Sequence, residues 1–184
     1  MTPPAPAEPF RWNVVGLLGE PVGSERADRI EGATIDLGDD LRLAEPVGGD
    51  FRLVRTNRGI LVSAKLHTAL DLACSRCLRV IAVPVAVRLQ EEYLPSIDMA
   101  TGRAMPLSDE PDALRLTDHH ELDLETPVRE AIQLAEPIAA LCRTDCPGLC
   151  VVCGGRLGED PHDHPDDEID PRLEALRGFQ VDLG

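Results

Sequence analysis

This chain of 184 residues contains few aromatic side chains and a single lysine. Aromatic residues make up 3% of the sequence, so a hydrophobic core must be built from Val, Leu, Ile and Ala. No segment approaches the roughly 20 consecutive apolar residues that a transmembrane helix needs. Residues 1–9 contain neither a basic nor an apolar stretch, which predicts that no secretory signal peptide is present. The composition therefore favours a soluble, cytoplasmic protein with no membrane partner.

Sequence signatures of several enzyme classes are also missing. The chain has no Gly-x4-Gly-Lys-Ser/Thr phosphate loop and no Gly-x-Ser-x-Gly nucleophile elbow. A Cys-x2-Cys pair can form a thiol redox centre where a helix follows a strand, but here strands are predicted on both sides of the first pair. These absences favour a binding protein over an enzyme with a small-molecule substrate.

Charge is distributed unevenly between the two halves of the chain. Residues 1–90 contain 11 acidic and 11 basic side chains, whereas residues 91–184 contain 22 acidic and 7 basic side chains. The net charge of −15 therefore arises entirely in the second half. An acidic surface repels phosphate groups and attracts basic partners, so the two halves are expected to differ in what they bind.

Alternation of apolar and polar residues predicts a β-rich first half. Residues 60–72 and 81–89 alternate with period two, which is typical of long strands with one buried and one solvated face. Gly-Asp, Gly-Gly-Asp and Asn-Arg-Gly sequences indicate turns between shorter strands. These shorter strands are predicted at 13–18, 33–37, 41–47 and 51–56. The predicted fold class is α+β, with an antiparallel meander or a barrel-like arrangement in the N-terminal half.

The chain divides into four predicted segments. Residues 1–10 are a Pro-rich lead-in that we expect to be disordered, and residues 11–94 form the β domain. Residues 95–120 are polar, acidic and aperiodic, which predicts a flexible loop. Residues 121–184 are predicted to contain a helix, a Cys/His metal-binding segment and a short C-terminal helix that begins at Asp170.

The first helix of the last segment has recognisable boundaries. Thr126 is expected as its N-cap with Pro127 at the first helical position, and Pro137 limits its C-terminal end. Apolar residues recur at helical spacing and predict one buried face. These residues are Leu124, Val128, Ala131, Ile132 and Ala135.

Cysteines and histidines form the most informative pattern in the sequence. Zinc prefers thiolate and imidazole ligands, and a closed structural site takes four of them. In a reducing cytosol, closely spaced cysteines are more often metal ligands than disulfide partners. The turn of a hairpin lets both sulfurs of a Cys-x2-Cys unit converge on one ion. The candidate ligands occur in four pairs: Cys74 and Cys77, Cys142 and Cys146, Cys150 and Cys153, and His162 and His164.

Spacing leaves three groupings of these pairs open. One places the first two pairs around one ion and the last two around another, and we favour it because it uses every pair. A ribbon-like site would join the first pair with the third and leave Cys142 and Cys146 spare. A local site would join the second and third pairs and leave Cys74 and Cys77 without partners. The sequence therefore predicts one or two zinc ions, although thiolate ligands also suit iron.

Three segments resemble the bacterial YceD family, the large ribosomal RNA subunit accumulation proteins. The resemblance extends from about Val14 to Phe179. Relatives often carry Cys-x-Cys where this sequence has His162-Asp163-His164, which implies the exchange of one zinc ligand type for another. The three segments are Cys74-Ser-Arg-Cys77-Leu78, Cys142-Arg-Thr-Asp-Cys146-Pro-Gly-Leu-Cys150-Val-Val-Cys153-Gly154 and Asp170-Pro171-Arg172.

The resemblance implies a non-enzymatic role in the accumulation or processing of large-subunit ribosomal RNA, and hence in ribosome biogenesis. The implied partner is ribosomal RNA or a pre-ribosomal particle. Family members are typically encoded beside a small zinc-type protein of the large subunit. The alternative is therefore a metal-dependent chaperone or escort for a basic ribosomal protein. Basic side chains that would contact RNA are Arg42, Arg52, Arg55, Arg58, Arg76, Arg79 and Arg88.

Overall fold

The computed structural model describes residues 9–105, 112–158, 164 and 172. None of the helices in these residues is long and apolar enough to cross a membrane. The strands are β1 (Arg11–Asn13), β2 (Glu25–Ala33), β3 (Arg42–Arg55), β4 (Ile60–Ala73), β5 (Val80–Leu94), β6 (Leu114–Arg115) and β7 (Glu121–Asp123). The helices are α1 (Val15–Leu18) and α2 (Glu125–Leu134).

The main sheet has five strands in the order β2-β3-β4-β5-β6. Strands β2 to β5 pair in antiparallel fashion, and β6 adds to β5 in parallel. Strands β1 and β7 form a separate antiparallel pair. The predicted α+β class and antiparallel meander are confirmed. The barrel-like alternative is wrong, because β2 and β6 form the two edges of an open sheet in the described part of the chain.

The two faces of the main sheet have different environments, as the alternation in the sequence predicts. Along β4, Val62, Ala64 and Leu66 are buried, whereas Ser63 and Lys65 are exposed. We call the buried side the inner face and the side that carries Ser63 and Lys65 the outer face. The predicted strands at 60–72 and 81–89 are therefore confirmed as β4 and β5.

The inner face is covered by the helices and by the small β1–β7 sheet. Leu17 of α1, Leu122 of β7 and Ile132 of α2 are fully buried and join the strand side chains in one hydrophobic core. The hydroxyl of Tyr93 donates to the backbone oxygen of Asp123 at 2.5 Å, and burial raises the pKa of this tyrosine. Among the described residues, α1, α2 and the β1–β7 pair thus pack on the inner face, and Ser63 and Lys65 on the outer face are exposed.

Helix α2 confirms the predicted apolar stripe but begins earlier than expected. Leu124, Val128 and Ile132 are fully buried in the core. Residue 124 precedes the helix, so Thr126 lies within the first turn and is not the N-cap. Asp123 explains the shift, because its Oδ1 accepts a hydrogen bond from the amide of Glu125 at 2.9 Å.

Strand β3 is one long strand where two strands and a turn were predicted. Gly48 and Gly49 lie inside it, in a region where the register with β4 shifts. Gly49 has φ of +145°, and a Cβ atom there would lie 2.3 Å from the carbonyl oxygen of Lys65. The close approach of β4 therefore requires glycine, and the Gly-Gly-Asp sequence marks a bulge and not a turn.

Four further predictions about local structure are corrected or stay open. The strand predicted at 13–18 is replaced by the end of β1 and helix α1, and the strand predicted at 33–37 lies beyond β2 except for its first residue. The predicted loop at 95–120 contains the two-residue strand β6. The C-terminal helix predicted at Asp170 lies outside the described residues.

Candidate metal centre

The hairpin between β4 and β5 holds the first pair of cysteines in its turn, as predicted. The amide of Cys74 donates to the carbonyl oxygen of Arg79 at 2.8 Å, and the amide of Leu78 donates to the carbonyl oxygen of Cys74 at 2.9 Å. Leu78 has φ of 57°, in the left-handed region. These bonds curl the turn so that the side chains of Cys74 and Cys77 both reach the interior, where they are buried.

A second turn, around Cys150 and Cys153, repeats this hydrogen-bond pattern. The amide of Cys150 donates to the carbonyl oxygen of Gly155 at 2.7 Å, and the amide of Gly154 donates to the carbonyl oxygen of Cys150 at 2.9 Å. Gly154 has φ of 71° and occupies the left-handed position that Leu78 has in the first turn. Both Cys-x2-Cys units therefore adopt the same knuckle conformation.

Four sulfur atoms meet at the first knuckle. The Sγ atoms of Cys74, Cys77, Cys142 and Cys146 all lie within 4.8 Å of one another. Cys74 and Cys146 are separated by 3.9 Å between their sulfurs, and Cys77 and Cys142 by 3.8 Å. A tetrahedral ion with metal–sulfur distances of about 2.3 Å separates its ligands by about 3.8 Å. The spacing fits such an ion and is far longer than the roughly 2.05 Å of a disulfide bond.

The chain that follows α2 carries Cys142 and Cys146 to this knuckle. The amide of Ser75 donates to the carbonyl oxygen of Ala140 at 2.8 Å, which ties the incoming segment to the hairpin turn. We call Cys74, Cys77, Cys142 and Cys146 the first cluster. It joins two parts of the chain that are distant in sequence.

Two arginines hold the segments of the first cluster together. Arg76 Nη1 donates to the carbonyl oxygen of Cys146 at 3.0 Å, and Arg156 Nε donates to the carbonyl oxygen of Cys77 at 3.1 Å. Gly148 lies beside Arg76 with φ of +86°, where a Cβ atom would be 3.3 Å from the Arg76 carbonyl oxygen. Sequence reasoning missed this role of Arg76 and Arg156, although each arginine lies within three residues of a cysteine.

The thiols of the first cluster differ in their tendency to ionise. Backbone amides of Cys77, Cys142 and Arg76 donate to the sulfur of Cys74 and lower its pKa. The neighbouring sulfur of Cys146, followed by burial, raises the pKa of Cys142. The backbone amides therefore favour ionisation of Cys74, whereas the neighbouring sulfur and burial oppose ionisation of Cys142. A divalent cation would remove this opposition, because its charge stabilises all four thiolates.

Three arginines lie near the first cluster. A cavity of about 110 Å³ lies against Cys77, Cys142 and Cys146, and Arg79, Arg143 and Arg156 also line it. Four thiolates around one divalent ion carry a net charge of about −2. The arginines offset that charge, so the surroundings suit a metal–thiolate centre.

The second knuckle brings together a second group of ligand atoms. Those of Cys150, Cys153 and His164 all lie within 4.8 Å of one another. The backbone amide of Val152 donates to the sulfur of Cys150, and that of Gly155 donates to the sulfur of Cys153, both at 3.4 Å. Cys150 is buried and Cys153 is exposed, so this second cluster lies nearer to solvent than the first. His162, the other histidine predicted as a ligand, lies outside the described residues.

The arginines predicted to contact RNA divide into different groups in the structure. Arg55 donates to three backbone carbonyl groups, and Arg76 belongs to the first cluster. Arg52 and Arg58 form ion pairs with glutamates at 3.4 and 3.9 Å. Arg88 is exposed on the outer face. Several of these residues therefore have a structural role that sequence alone does not reveal.

We expect the Arg76→Ala substitution to loosen the first cluster without removing a ligand. It deletes the hydrogen bonds from Nη1 to the carbonyl oxygens of Thr144 and Cys146. The free energy of unfolding should fall by about 1–2 kcal/mol, and a bound metal should reach a colorimetric chelator faster. Arg26→Ala is the control, because Arg26 is exposed, pairs with exposed Glu20 at 2.8 Å and belongs to neither cysteine cluster. Equal release rates in the two variants would contradict the assigned role of Arg76.

Fold and site together define a class of protein. It has an open antiparallel sheet joined to a C-terminal segment by a cysteine cluster that can hold a metal ion. The sequence profile described as "Large ribosomal RNA subunit accumulation protein YceD" matches residues 62–180, roughly two thirds of the chain. The chain belongs to this family. The matched region begins at Val62, later than the resemblance in the motifs suggested, and no solved structure matches the chain.

Curated relatives of the chain come from mycobacteria. Uncharacterized proteins of Mycobacterium tuberculosis and Mycobacterium bovis are 32% identical to it over 127 residues, which is 69% of this chain and 58% of theirs. An uncharacterized protein of Mycobacterium leprae is 32% identical over 126 residues, or 68% of this chain and 55% of the relative. The chain thus matches less than two thirds of the length of these relatives.

Proposed function

We propose that this protein is a non-enzymatic, cytoplasmic factor for the accumulation or processing of large-subunit ribosomal RNA, with structural zinc holding its fold. Membership of the family supports the role, because the family's description names large ribosomal RNA subunit accumulation. The implied partner is ribosomal RNA or a pre-ribosomal particle. The binding surfaces are supplied by the sheet and by the acidic C-terminal half.

Zinc is the metal that the donor set supports best. The sulfur–sulfur separations of 3.8 and 3.9 Å in the first cluster fit a tetrahedral thiolate site. The second cluster combines thiolates with an imidazole, a mixture that zinc commonly accepts. We assign Cys74, Cys77, Cys142 and Cys146 to one ion. Cys150, Cys153, His162 and His164 are assigned to the other.

The arrangement supports a structural role for the metal. A site with four protein ligands has no open position for water or substrate, which a catalytic zinc requires. The first cluster also lies between the β4–β5 hairpin and the segment after α2. A bound ion would therefore fix the C-terminal segment against the sheet, and the binding surfaces would keep a constant relative position.

A strain that lacks the protein tests the proposed role. We expect less mature large-subunit ribosomal RNA relative to small-subunit RNA, together with fewer free large subunits in sucrose gradients. Re-expression of the wild-type chain should restore both, and re-expression of Cys74→Ser should not. Unchanged ribosomal RNA and subunit profiles in the deletion strain would refute the proposed function.

The charge distribution favours one second candidate, an escort for a basic ribosomal protein. Residues 91–184 contain 22 acidic and 7 basic side chains, which is suited to a basic partner. Affinity capture from nuclease-treated extracts separates the two candidates. A basic large-subunit protein that stays bound after RNA is destroyed would favour the escort, and its loss with the RNA would favour direct RNA contact.

A further inference from the structure

Side chains on the outer face line up in rows across four strands. One row contains Arg29 of β2, Asp50 of β3, Lys65 of β4 and Arg88 of β5, each directly opposite the next. The adjacent row contains Ala27, Arg52, Ser63 and Gln90. All of these residues except Arg29 line a groove of about 730 Å³, which we call the outer groove.

Ion pairs at the β2–β3 side of the outer groove leave two cations, Lys65 and Arg88, at its β4–β5 side. Arg29 Nε binds Asp50 Oδ1 at 2.8 Å, so the carboxylate next to Lys65 is already engaged. Arg52 is paired with Glu25 at 3.4 Å. Within residues 9–105 and 112–158, no carboxylate forms an ion pair with Lys65 or with Arg88.

The juxtaposition of these two cations is unfavourable for the free protein. Lys65 and Arg88 are directly opposite each other on antiparallel neighbours, where like charges destabilise a sheet. Both side chains are exposed, and the carboxylate of Asp50 opposite Lys65 is engaged by Arg29, so their repulsion is only partly compensated. An anion bound between them would remove it. Stability is commonly lower where residues are arranged for binding, so this pair indicates a ligand site.

We propose that the outer groove binds the phosphate backbone of single-stranded RNA, and that Lys65 and Arg88 make the main contacts with it. The proposal rests on the proposed role in ribosomal RNA accumulation and names the surface that would serve it. Arg52, Ser63 and Gln90 lie in the adjacent row, and such side chains commonly contact phosphate oxygens. The groove is built from residues of the first half of the chain, in which acidic and basic side chains balance.

In the described residues, the outer groove exposes no Phe, Trp or Tyr ring on which a base could stack. Every aromatic side chain in the described residues, Phe10, Trp12, Phe51 and Tyr93, is buried in or packed against the core under the inner face. Single-strand binders that recognise bases present such rings to the nucleic acid. Contacts here are therefore to the backbone, so affinity is expected to be insensitive to sequence and to fall steeply with salt.

Fluorescence anisotropy with labelled oligouridine tests the groove with the full, metal-loaded chain. Loss of two phosphate contacts in the Lys65→Gln/Arg88→Gln variant should weaken binding roughly tenfold at moderate salt. The slope of log affinity against log salt should decrease by about 1.4, since each single-strand phosphate contact contributes about 0.7. The same variant should unfold at a slightly higher temperature than the wild type without RNA, because the like-charge contact is gone.

A variant that loses the same charge elsewhere provides the control. Arg11→Gln/Arg26→Gln removes two exposed arginines that pair with Asp123 and Glu20, outside the groove. This control should bind oligouridine nearly as the wild type does. An equal loss in both double variants, or no loss in the groove variant, would overturn the proposal. Binding of poly-L-glutamate through Lys65 and Arg88, without binding of oligouridine, would overturn it in favour of an acidic polypeptide.

The RNA-binding role of the outer groove and the proposed function of the protein can be refuted independently. A deletion strain with normal ribosomal RNA refutes the function, whatever the chain binds in vitro. A deletion strain with the RNA defect that is rescued fully by the Lys65→Gln/Arg88→Gln variant refutes only the groove. Failure of this variant to rescue, with weakened oligouridine binding, unchanged metal content and an unfolding midpoint no lower than that of the wild type, supports both.

Discussion

Replacement of Cys74 by Ser is expected to abolish metal binding at the first cluster and to detach the C-terminal segment from the sheet. The Cys74 side chain is fully buried, and its sulfur lies 3.9 Å from that of Cys146. Structural zinc sites contribute on the order of 10 kcal/mol to folding, so we expect the free energy of unfolding to fall by about 5 kcal/mol or more. Denaturant unfolding followed by circular dichroism measures this loss, and elemental analysis should show zinc per chain falling from two equivalents to one.

Cys153→Ser is the matched control, because it removes one thiol from the second cluster. Cys153 is exposed, and its knuckle lies nearer to solvent than the first cluster does. This variant should also lose one zinc equivalent, but its loss of stability should be less than about half that of Cys74→Ser. Chelation of the wild-type protein should release the more exposed ion first. Equal destabilisation by the two substitutions, or a wild-type protein that binds no metal, would contradict the assignment of the first cluster as the main structural site.

The second large effect is expected for Gly49→Ala in β3. The added Cβ would lie 2.3 Å from the carbonyl oxygen of Lys65 and 2.8 Å from the Cα of Leu66, and both are backbone atoms that cannot rotate away. The φ of +145° at this position adds strain for any side chain. We expect the free energy of unfolding to decrease by about 3–5 kcal/mol, measured by chemical denaturation.

Gly48→Ala tests whether this effect belongs to the position or to glycine in a strand generally. A Cβ at Gly48 meets the ring of His67 at 3.2 Å, and that side chain is exposed and can move. The free energy of unfolding should therefore decrease by about 1 kcal/mol or less. A Gly48→Ala variant as unstable as Gly49→Ala would show that the bulge, and not the close approach of β4, sets the requirement for glycine.

Regular patterns in the sequence predicted the elements that build the core. The alternation in 60–72 and 81–89 identifies β4 and β5 because one face of each strand packs on the core and the other does not. The apolar stripe of α2 is equally informative, since Val128 and Ile132 are fully buried against the sheet. Local periodicity succeeds in these segments because the environment of each element is constant along its length.

Prediction was weaker where the environment changes along the chain. In β2 only Ile30 and Ala33 are buried, so the sequence of this edge strand shows no clear alternation of apolar and polar residues. Gly48 and Gly49 resemble a turn in sequence, yet the neighbouring strand makes them part of a bulge. Helix α1 has four residues, too few for helical periodicity to appear. In each case contacts with distant parts of the chain override the local preference.

The sequence by itself determined the candidate ligand types, the two Cys-x2-Cys knuckles and the resemblance to a family that its profile then confirmed. Only the tertiary structure decided that Cys142 and Cys146 meet the first knuckle, and that Arg76 and Arg156 bind backbone oxygens there. It also placed Lys65 opposite Arg88, a contact that no motif predicts. The physical reason is that ligand chemistry is a property of residue type and short spacing, whereas juxtaposition depends on strand register and on the path of the chain after α2.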